Sequence, residues 1–590
     1  MCGIAGMWMR DGRKTEPEVL ELLTASLRHR GPDAKGFWQN KERELSLLHT
    51  RLAIIDLSPK ALQPMARAEG RFVITANGEI YNYKSLKQEL EALGHHFMSD
   101  SDTEVILAAY QEWGPDCLEK LEGMFAFAVW DQKDKVLFLA RDRFGMKPLY
   151  YSVGASFFIF ASEIRALLTT GLIRPEVNPG ALASFLSLGY IPPPHTFYKN
   201  IMALKPGNFI KISRESTEHK CYYNLRHIFQ GKPFSGSYEE AVGRTRAALL
   251  QSVRRHLVAD VEVGAFLSGG IDSSSLVSLM CASGQEKIKT VSAVFPGTAY
   301  DESAAAKKNA KIFGTEHHEI KIQAKDFFGG LKHFFSSMDQ PTVDGVNIYF
   351  VSLAAKQLGL KTVLSGVGGD EAFGGYPSFG DVPKLFKQLK EFQVLPARAY
   401  FIYRGLWTLS QIPDILSPEL AEWVATEWNF DSRMDGSVEG FRDDFSKVSF
   451  LETQFYMAGQ LLRDTDVFSM AHALEVRLPF VHHPLLEWLG TVPARHKMGT
   501  FPKKLLADAV RNLPEENLGR PKKTFTFPLD AWLKQRPEFI FDENLETARC
   551  FNPKAIKAMR SGFLKGQVHW SLVWSLFVLN QFLSKSSAHQ

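Results

Sequence analysis

The sequence predicts an α/β and α+β protein of two domains, with a helical part at the end of the second. Three observations lead to this fold class. The chain has 590 residues, more than one hydrophobic core usually supports. Roughly its first 200 residues alternate short β-like runs with turn residues. Beyond them, long helical patterns alternate with short apolar strands, which is typical of a parallel sheet.

The first part of the chain is predicted to be rich in sheet. Its short apolar runs include RFVITANGEI, FAFAVWD and KVLFLARD, and one helical pattern, YKSLKQELEALG, ends at Gly94. Three consecutive prolines at 192–194 interrupt the pattern, and a polar stretch follows at 230–237. We therefore expect a first domain over residues 2–212, a linker over 213–234 and a second domain over 235–590.

The second part repeats the order strand, glycine turn, helix. The run VEVGAFLSGG precedes the helical SSSLVSLMCA, and the helical FVSLAAKQLGL precedes the strand KTVLSGVGG. This order predicts a parallel sheet whose ligands bind at the carboxyl ends of the strands. Roughly the last 180 residues have mainly helical patterns.

The composition excludes several classes of protein. The 69 Lys and Arg residues against 65 Asp and Glu leave a net charge of +4, too small to indicate nucleic acid or a membrane surface. Five scattered cysteines without CxxC spacing indicate neither a disulfide framework nor a zinc site. No secretory pattern opens the chain, and no apolar run approaches the ~20 residues that cross a bilayer. We expect a cytoplasmic protein.

A phosphate-binding turn is predicted at FLSGGIDSSSL (266–276). Its glycines allow close backbone approach, the helix that follows points N–H groups at an anion, and Ser268, Ser273 and Ser274 add hydroxyl donors. The lysine of the GxxxxGK[ST] loop is missing. The alternative is a helix capped by Ser and Asp after a tight turn.

A second turn of the same kind follows another strand at VLSGVGGDEAFGGY (363–376). Ser365 and Gly366 form its strand-end turn, and Asp370 and Glu371 supply the oxygen ligands that magnesium prefers. Together with Asp272 of the first turn, Asp370 predicts one magnesium–nucleotide site shared by the two loops.

The start of the chain, MCGIAG, places a cysteine directly behind the initiator methionine. If Met1 is removed, Cys2 carries a free α-amino group beside its thiol. An amine with a pKa near ~7.7–8.0 can act as the general base for that thiol. The alternative is that Cys2 is a small buried apolar residue.

These motifs together resemble the glutamine-dependent asparagine synthetases over nearly the whole chain. In the first domain the resemblance rests on MCGIAG, RHRGPD, HTRLAIIDLS, NGEIYN, SDTE, GMFAFAVWD and ARDRFGMKPLYY. In the second it rests on SGGIDSS, LSGVGGDEAFGGY, LRDTDVFSMAHALEVRLPF and RPKKTF. The resemblance implies an N-terminal-nucleophile αββα sandwich with glutaminase activity, followed by an ATP-pyrophosphatase domain.

The resemblance assigns roles in glutamine hydrolysis. Cys2 would attack the side-chain amide and release ammonia, while Asn77 and the Gly78 amide would form the oxyanion hole. The residues expected to bind glutamine are Arg51, Asn77, Glu79 and Asp102. The residues alone also allow Arg51 to be a surface cation and Asn77-Gly78 to be a hairpin turn.

In the second domain the resemblance implies that ATP activates a carboxylate as its adenylate and that ammonia, carried through an internal tunnel, displaces AMP. Lys522 would stabilise developing charge on phosphate, and Asp272 and Asp370 would hold Mg²⁺. Aspartate is the expected acceptor, and the resemblance allows a homodimer. The residues expected to bind ATP or pyrophosphate are Leu267, Ser268, Gly269, Gly270, Asp272, Ser273, Ser274, Val294, Ser365 and Gly366.

One position departs from the family pattern: Val367 stands where the family usually has Glu or Asp. That acid is associated with handling of aspartate, and a valine neither accepts a proton nor binds an ammonium group. A second hypothesis is therefore an amidotransferase of the same mechanism that acts on another carboxylate, such as a uronic acid in surface-polysaccharide synthesis. A third is a binding protein that retains the fold without activity.

Overall fold

A computed structural model gives the fold of the chain and describes residues 2–427, 437–518, 527–541, 545 and 548–587. Lys522 and the rest of RPKKTF lie outside these residues, so the role expected of Lys522 stays a prediction.

Two antiparallel sheets form the N-terminal region. The first sheet has the strand order β10-β8-β9-β1-β3-β2 and the second has β12-β11-β7-β6-β5-β4. The strands are β1 (Gly3–Met9), β2 (Ala34–Gln39), β3 (Leu45–Arg51), β4 (Met65–Arg67), β5 (Phe72–Ile80), β6 (Gly123–Asp131), β7 (Val136–Arg141), β8 (Tyr150–Val153), β9 (Phe157–Ala161), β10 (Met202–Ala203), β11 (Asn208–Ile212) and β12 (Thr217–Cys221).

The two sheets pack face to face over an apolar core. Alternate residues of the strands point into this layer, where Trp8 and Trp130 meet edge to face with ring centroids 5.1 Å apart. The helices Pro17–Leu27 and Asp102–Trp113 pack against β3 and β5 respectively. The arrangement is the αββα sandwich that the resemblance implied, so this part of the predicted fold is confirmed.

The second sheet continues beyond residue 212. Strand β12 pairs with β11 from Ile212↔Thr217 to Asn208↔Cys221. The hairpin therefore belongs to the sandwich, although the first domain was expected to end at its turn. We propose that the linker begins after Cys221.

A five-stranded parallel sheet forms the centre of the second region, with the order β15-β14-β13-β16-β17. This sheet is the predicted one, so the second half of the fold class is confirmed. From β13 the chain adds β14 and β15 on one side and β16 and β17 on the other. Ligands bind at this change of side in open α/β sheets. The strands are β13 (Val263–Phe266), β14 (Lys289–Val294), β15 (Glu316–Lys321), β16 (Thr362–Leu364) and β17 (Glu475–Arg477).

Helices cover the parallel sheet and make up most of the described C-terminal part. None of the described helices is long and apolar enough to cross a membrane. Further α-helices are Tyr83–Ala92, Cys117–Lys120, Ile164–Thr169, Pro179–Leu188, Arg226–Gln230, Tyr238–His256, Ile271–Ala282, Ser303–Phe313, Ala324–Ser337, Val346–Gln357, Gly369–Phe373, Ser378–Leu389, Pro396–Arg404, Ile412–Ile415, Pro418–Glu427, Asp444–Leu451, Leu462–Met470, His483–Thr491, Ala494–Lys497, Lys504–Val510, Glu515–Leu518, Leu529–Gln535, Pro553–Leu564 and Trp570–Ser587, and a π-helical stretch, Glu452–Leu461, joins two of them.

Candidate active sites

Cys2 lies directly before β1 at the end of the sandwich, where only 8% of the residue is exposed. Its backbone nitrogen donates a hydrogen bond to Oδ1 of Asn77 at 3.0 Å. Burial raises the pKa of the Cys2 thiol, while a hydrogen bond from the Leu52 backbone and the charge of Arg51 act in the opposite direction. The cysteine is therefore held in a fixed place beside Asn77.

Asn77 and Gly78 lie within β5 and do not form a hairpin turn. Nδ2 of Asn77 is a buried donor without a hydrogen-bond partner among the described residues. Gly78 is required by close packing, because a Cβ at this position would overlap the carbonyl oxygen of Met124 on β6. An unpaired buried amide beside a cysteine is suited to stabilise an oxyanion.

Arg51 and Asp102 complete the group expected to bind glutamine. Arg51 is buried, not a surface cation, and its guanidinium donates to the carbonyl oxygens of Ser58, at 3.0 Å, and of Asp56. Asp102 begins a helix, and its Oδ2 accepts from the Ile80 amide at 2.9 Å. Burial raises the pKa of Asp102 to about 6.

Glu79 faces the second domain. Its Oε2 lies 3.4 Å from a guanidinium nitrogen of Arg477, which also pairs with Glu475 at 2.5 Å. Burial raises the pKa of Glu79 well above its ordinary value, with the charge of Glu475 adding to the effect and Arg477 opposing it. The carbonyl of Arg477 accepts from the amide of Ser365 at 2.9 Å, so one arginine contacts residues expected at both sites.

A cavity of about 630 Å³ lies at the carboxyl ends of β13, β14 and β16. This volume suits a nucleotide-sized ligand, since small-molecule sites are typically ~300–1,000 Å³. Most residues expected to bind ATP, pyrophosphate or Mg²⁺ line it, namely Leu267, Ser268, Gly269, Gly270, Asp272, Ser273, Val294, Ser365, Gly366 and Asp370.

Ser274 is the described ATP-binding candidate that the structure does not bring to this cavity. It is fully buried behind the loop, where its hydroxyl accepts from Asn309 at 2.9 Å and from Asn517 at 3.1 Å. Ser273 instead bonds Ser268 within the loop, oxygen to oxygen at 2.9 Å. Ser273 therefore lines the cavity, whereas Ser274 is bonded in the interior.

The two glycine loops meet at Asp272. A Cβ on Gly369 would overlap the Asp272 carboxylate, so the second loop approaches the first as closely as a glycine allows. Lys503, which the sequence reasoning missed, places its Nζ between Asp272 and Asp370, 2.5 Å from Oδ1 of Asp370. Burial lowers the pKa of Lys503, but the two carboxylates outweigh it and raise the pKa to about 12.

Two carboxylates that converge on one cation beside a phosphate loop match the donor set that Mg²⁺ takes together with substrate phosphates. Asp272 and Asp370 therefore fit the magnesium role expected of them, with Lys503 as the neighbouring positive charge. No cluster of three or more His, Cys, Asp or Glu ligands occurs among the residues the structure describes.

The lining of the cavity also includes Val367 and several acids. The acids are Asp344, Glu371 and Asp464, and Tyr376 belongs to the same lining. The Tyr376 hydroxyl donates to one oxygen of Glu371 at 2.9 Å, while the other oxygen of Glu371 is buried without a hydrogen-bond partner in the described part of the chain. We propose that an acceptor binds against these residues, and we call them the acceptor wall.

The helix Leu462–Met470 connects the two sites. Asp464 and Thr465 line the cavity, whereas Asp466 on the same helix pairs with Arg30 of the sandwich at 2.6 Å. Nε of Arg30 donates to the carbonyl of Cys2 at 3.1 Å. Arg30 and Arg477 were given no role from the sequence, although they lie inside the quoted motifs RHRGPD and LRDTDVFSMAHALEVRLPF.

Comparisons with known proteins agree with this division of the chain. Residues 1–223 match the glutamine amidotransferase domain family, and residues 244–584 match the asparagine synthase family. The chain is 31% identical to asparagine synthetase [glutamine-hydrolyzing] 1 of Bacillus subtilis, over 90% of this chain and 88% of that protein. It is 28% identical to amidase chry2 of Gibberella zeae, over 90% of each chain.

Proposed function

Because the chain belongs to the asparagine synthase family and carries its glutamine amidotransferase domain, we propose that it moves ammonia from glutamine to a carboxylate that ATP has activated. The observation that carries this proposal is the helix Leu462–Met470, which touches the Cys2 side through Arg30 and the cavity through Asp464. Two catalytic sites so connected suit the transfer of a reactive intermediate.

In the first half-reaction, removal of Met1 gives Cys2 a free amine that accepts the thiol proton. The thiolate adds to the side-chain amide of glutamine, and Asn77 Nδ2 with the Gly78 amide stabilises the oxyanion. Collapse forms a thioester and releases ammonia, and water then returns the enzyme with glutamate. Arg51 pairs with the substrate carboxylate and Asp102 with its ammonium group.

In the second half-reaction, an acceptor carboxylate attacks the α-phosphorus of ATP, and pyrophosphate leaves. Ammonia then attacks the acyl carbon, and AMP leaves with the carboxylate oxygen, so that one amide, one AMP and one pyrophosphate form. Asp272 and Asp370 would hold Mg²⁺, which neutralises phosphate charge when bound. Ser268, Ser273 and the loop amides bind phosphate oxygens, with Lys503 beside them.

Two acceptors follow from the residues. Aspartate is the first, since it is the substrate that the family resemblance implies. Another carboxylate, such as a uronic acid, is the second, and the observation that favours it is Val367 in the acceptor wall. Relatives named as asparagine synthetases and as an amidase both match this chain, so similarity alone does not identify the acceptor.

The test measures AMP, pyrophosphate and amide product with glutamine, ATP and Mg²⁺, first with aspartate and then with glucuronate. Formation of asparagine supports the first acceptor, and amidated glucuronate supports the second. Glutamine hydrolysis without AMP or pyrophosphate from any carboxylate would refute the proposed function.

A further inference from the structure

A second cavity, of about 260 Å³, adjoins the acceptor wall. Asp344, Asn347 and Tyr456 line both this cavity and the nucleotide cavity, so the two spaces meet at these three residues. An acceptor that reaches these three residues from the nucleotide cavity is next to a further space that neither ATP nor pyrophosphate is expected to fill.

The second cavity is mainly apolar and aromatic. Its walls come from separate parts of the chain, including Leu188 from the N-terminal region, Phe401 and Leu406 from the helical part, and Trp570 near the C-terminus. A cavity of about 150 Å³ is enough to bind benzene. The second cavity is larger than that, so it can take an aromatic ring or a short alkyl chain.

Among the described lining residues, no cation is available for the α-carboxylate of aspartate. Beside its reacting carboxylate, aspartate carries an α-ammonium group, which suits the acids Asp344 and Glu371 of the acceptor wall, and an α-carboxylate, which needs a cation. Among the described lining residues the cations are Lys503 and Arg404. Lys503 is paired with both carboxylates at the phosphate loop.

Arg404 is also ion-paired within the protein. Its guanidinium donates to both oxygens of the buried Glu452, at 2.6 and 3.2 Å, and lies over the ring of Tyr456 at 4.0 Å. Its charge is thus compensated within the protein, and it forms part of an aromatic wall. An acceptor with a single carboxylate, whose charge is lost on adenylation, brings no further anion to this lining.

We propose that the acceptor is a carboxylic acid with an apolar arm, whose carboxyl group reacts beside Val367 and whose arm passes Tyr456 into the second cavity. This inference rests on the proposed function and names the substrate class for it. The reaction stays the same: the acid and ATP give an acyl-adenylate and pyrophosphate, and ammonia then gives the primary amide and AMP.

The test measures carboxylate-dependent ATP–pyrophosphate exchange by the full-length protein with straight-chain acids from acetate to decanoate, 3-phenylpropionate, aspartate and glucuronate. Burial of each added methylene should raise kcat/KM by about fourfold until the cavity is filled. We expect 3-phenylpropionate and the middle-length acids to exceed aspartate and glucuronate at least tenfold.

A pair of variants locates the effect. Leu406 lines the second cavity, so L406W should lower kcat/KM for 3-phenylpropionate at least tenfold while glutamine hydrolysis and exchange with acetate stay within twofold. Leu409, which is 40% exposed and outside the lining, provides the matched control L409W, which should change none of these rates.

The outcomes separate the two proposals. Exchange that is greatest with aspartate or glucuronate and flat along the acid series would overturn the apolar acceptor and leave the proposed function standing. Equal loss of exchange with acetate and 3-phenylpropionate in L406W would also overturn it. No exchange with any acid, while glutamine is still hydrolysed, would overturn both proposals.

Discussion

The glutaminase site and the ATP cavity differ in how far the chain prepares them for a ligand. In the first, backbone and side-chain hydrogen bonds already hold Cys2, Arg51 and Asp102 in place. In the second, ion pairs with Lys503 organise the expected phosphate end, but the proposed acceptor end has walls from distant segments. The comparison supports the proposal that the ammonia donor is strictly specified, whereas the acceptor changes with a few wall residues.

The largest expected effect isolates the donor site. Cys2→Ala removes the nucleophile, so glutamine-dependent amide synthesis should fall at least about 10⁴-fold. Ammonium chloride should still support synthesis, because the ATP cavity is unchanged. Both rates are measured by AMP release, with Cys221→Ala, an exposed cysteine, as the control that alters neither. Glutamine use that persists in Cys2→Ala would refute the nucleophile assignment.

The second-largest expected effect is at Arg477, which contacts residues of both regions. Arg477→Met leaves Glu79 and Glu475 as uncompensated buried acids, which should cost about 3–5 kcal/mol of stability. Urea unfolding followed by tryptophan fluorescence measures the loss, and adding Glu475→Gln should restore part of it. Lys384→Met, which breaks an exposed pair with Asp381, should stay within about 0.5 kcal/mol. Equal stability of Arg477→Met and Lys384→Met would contradict the role of Arg477 as a link between the two regions.

A third prediction isolates the ATP cavity. Lys503→Met removes the cation between Asp272 and Asp370, so ATP–pyrophosphate exchange should fall about 10²-fold while glutamine hydrolysis persists. Its neighbour Lys504 points instead to Asp508, and Lys504→Met is the matched control with near-normal exchange. Normal exchange in Lys503→Met would exclude the lysine from the phosphate site.

A fourth prediction concerns pH at the donor site. Burial raises the pKa of Asp102 to about 6, so this carboxylate is charged above that pH and protonated below it. A protonated Asp102 cannot pair with the ammonium group of glutamine. As the pH falls below 6, kcat/KM for glutamine hydrolysis should therefore decrease by an additional factor of about ten for each pH unit. Asp102→Asn should lower kcat/KM at pH 8 and remove this additional decrease, and a persistent inflection in that variant would assign the pH dependence to another group.

The sequence predicted the sites to the extent that contiguous motifs build them. Asn77 and Gly78 share one strand, and the serine loop follows another, so local patterns locate them. Sequence motifs could not predict the contacts between residues that are far apart along the chain. Arg30 meets Asp466, 436 residues away, and Lys503 is placed by an ion pair with Asp272, 231 residues away.

The wall of the second cavity was beyond prediction for a related reason. Leu188, Leu406 and Trp570 belong to three separate segments whose apolar patterns indicate burial without saying against what. The departure at Val367 was visible in the sequence, but the space beside it depends on tertiary packing.

The smallest expected effect separates two adjacent serines. Successive residues of an α-helix point about 100° apart, so Ser274 turns away from the cavity that Ser273 lines. Ser274→Ala removes the acceptor for Asn309 and Asn517, which should cost about 1–3 kcal/mol of stability and leave KM for ATP within about twofold. Ser273→Ala should do the reverse, with KM for ATP raised several-fold and little change in stability. Each variant removes one hydroxyl group, and the two positions are adjacent. If KM for ATP rose in Ser274→Ala and not in Ser273→Ala, the loop would have to rotate when nucleotide binds.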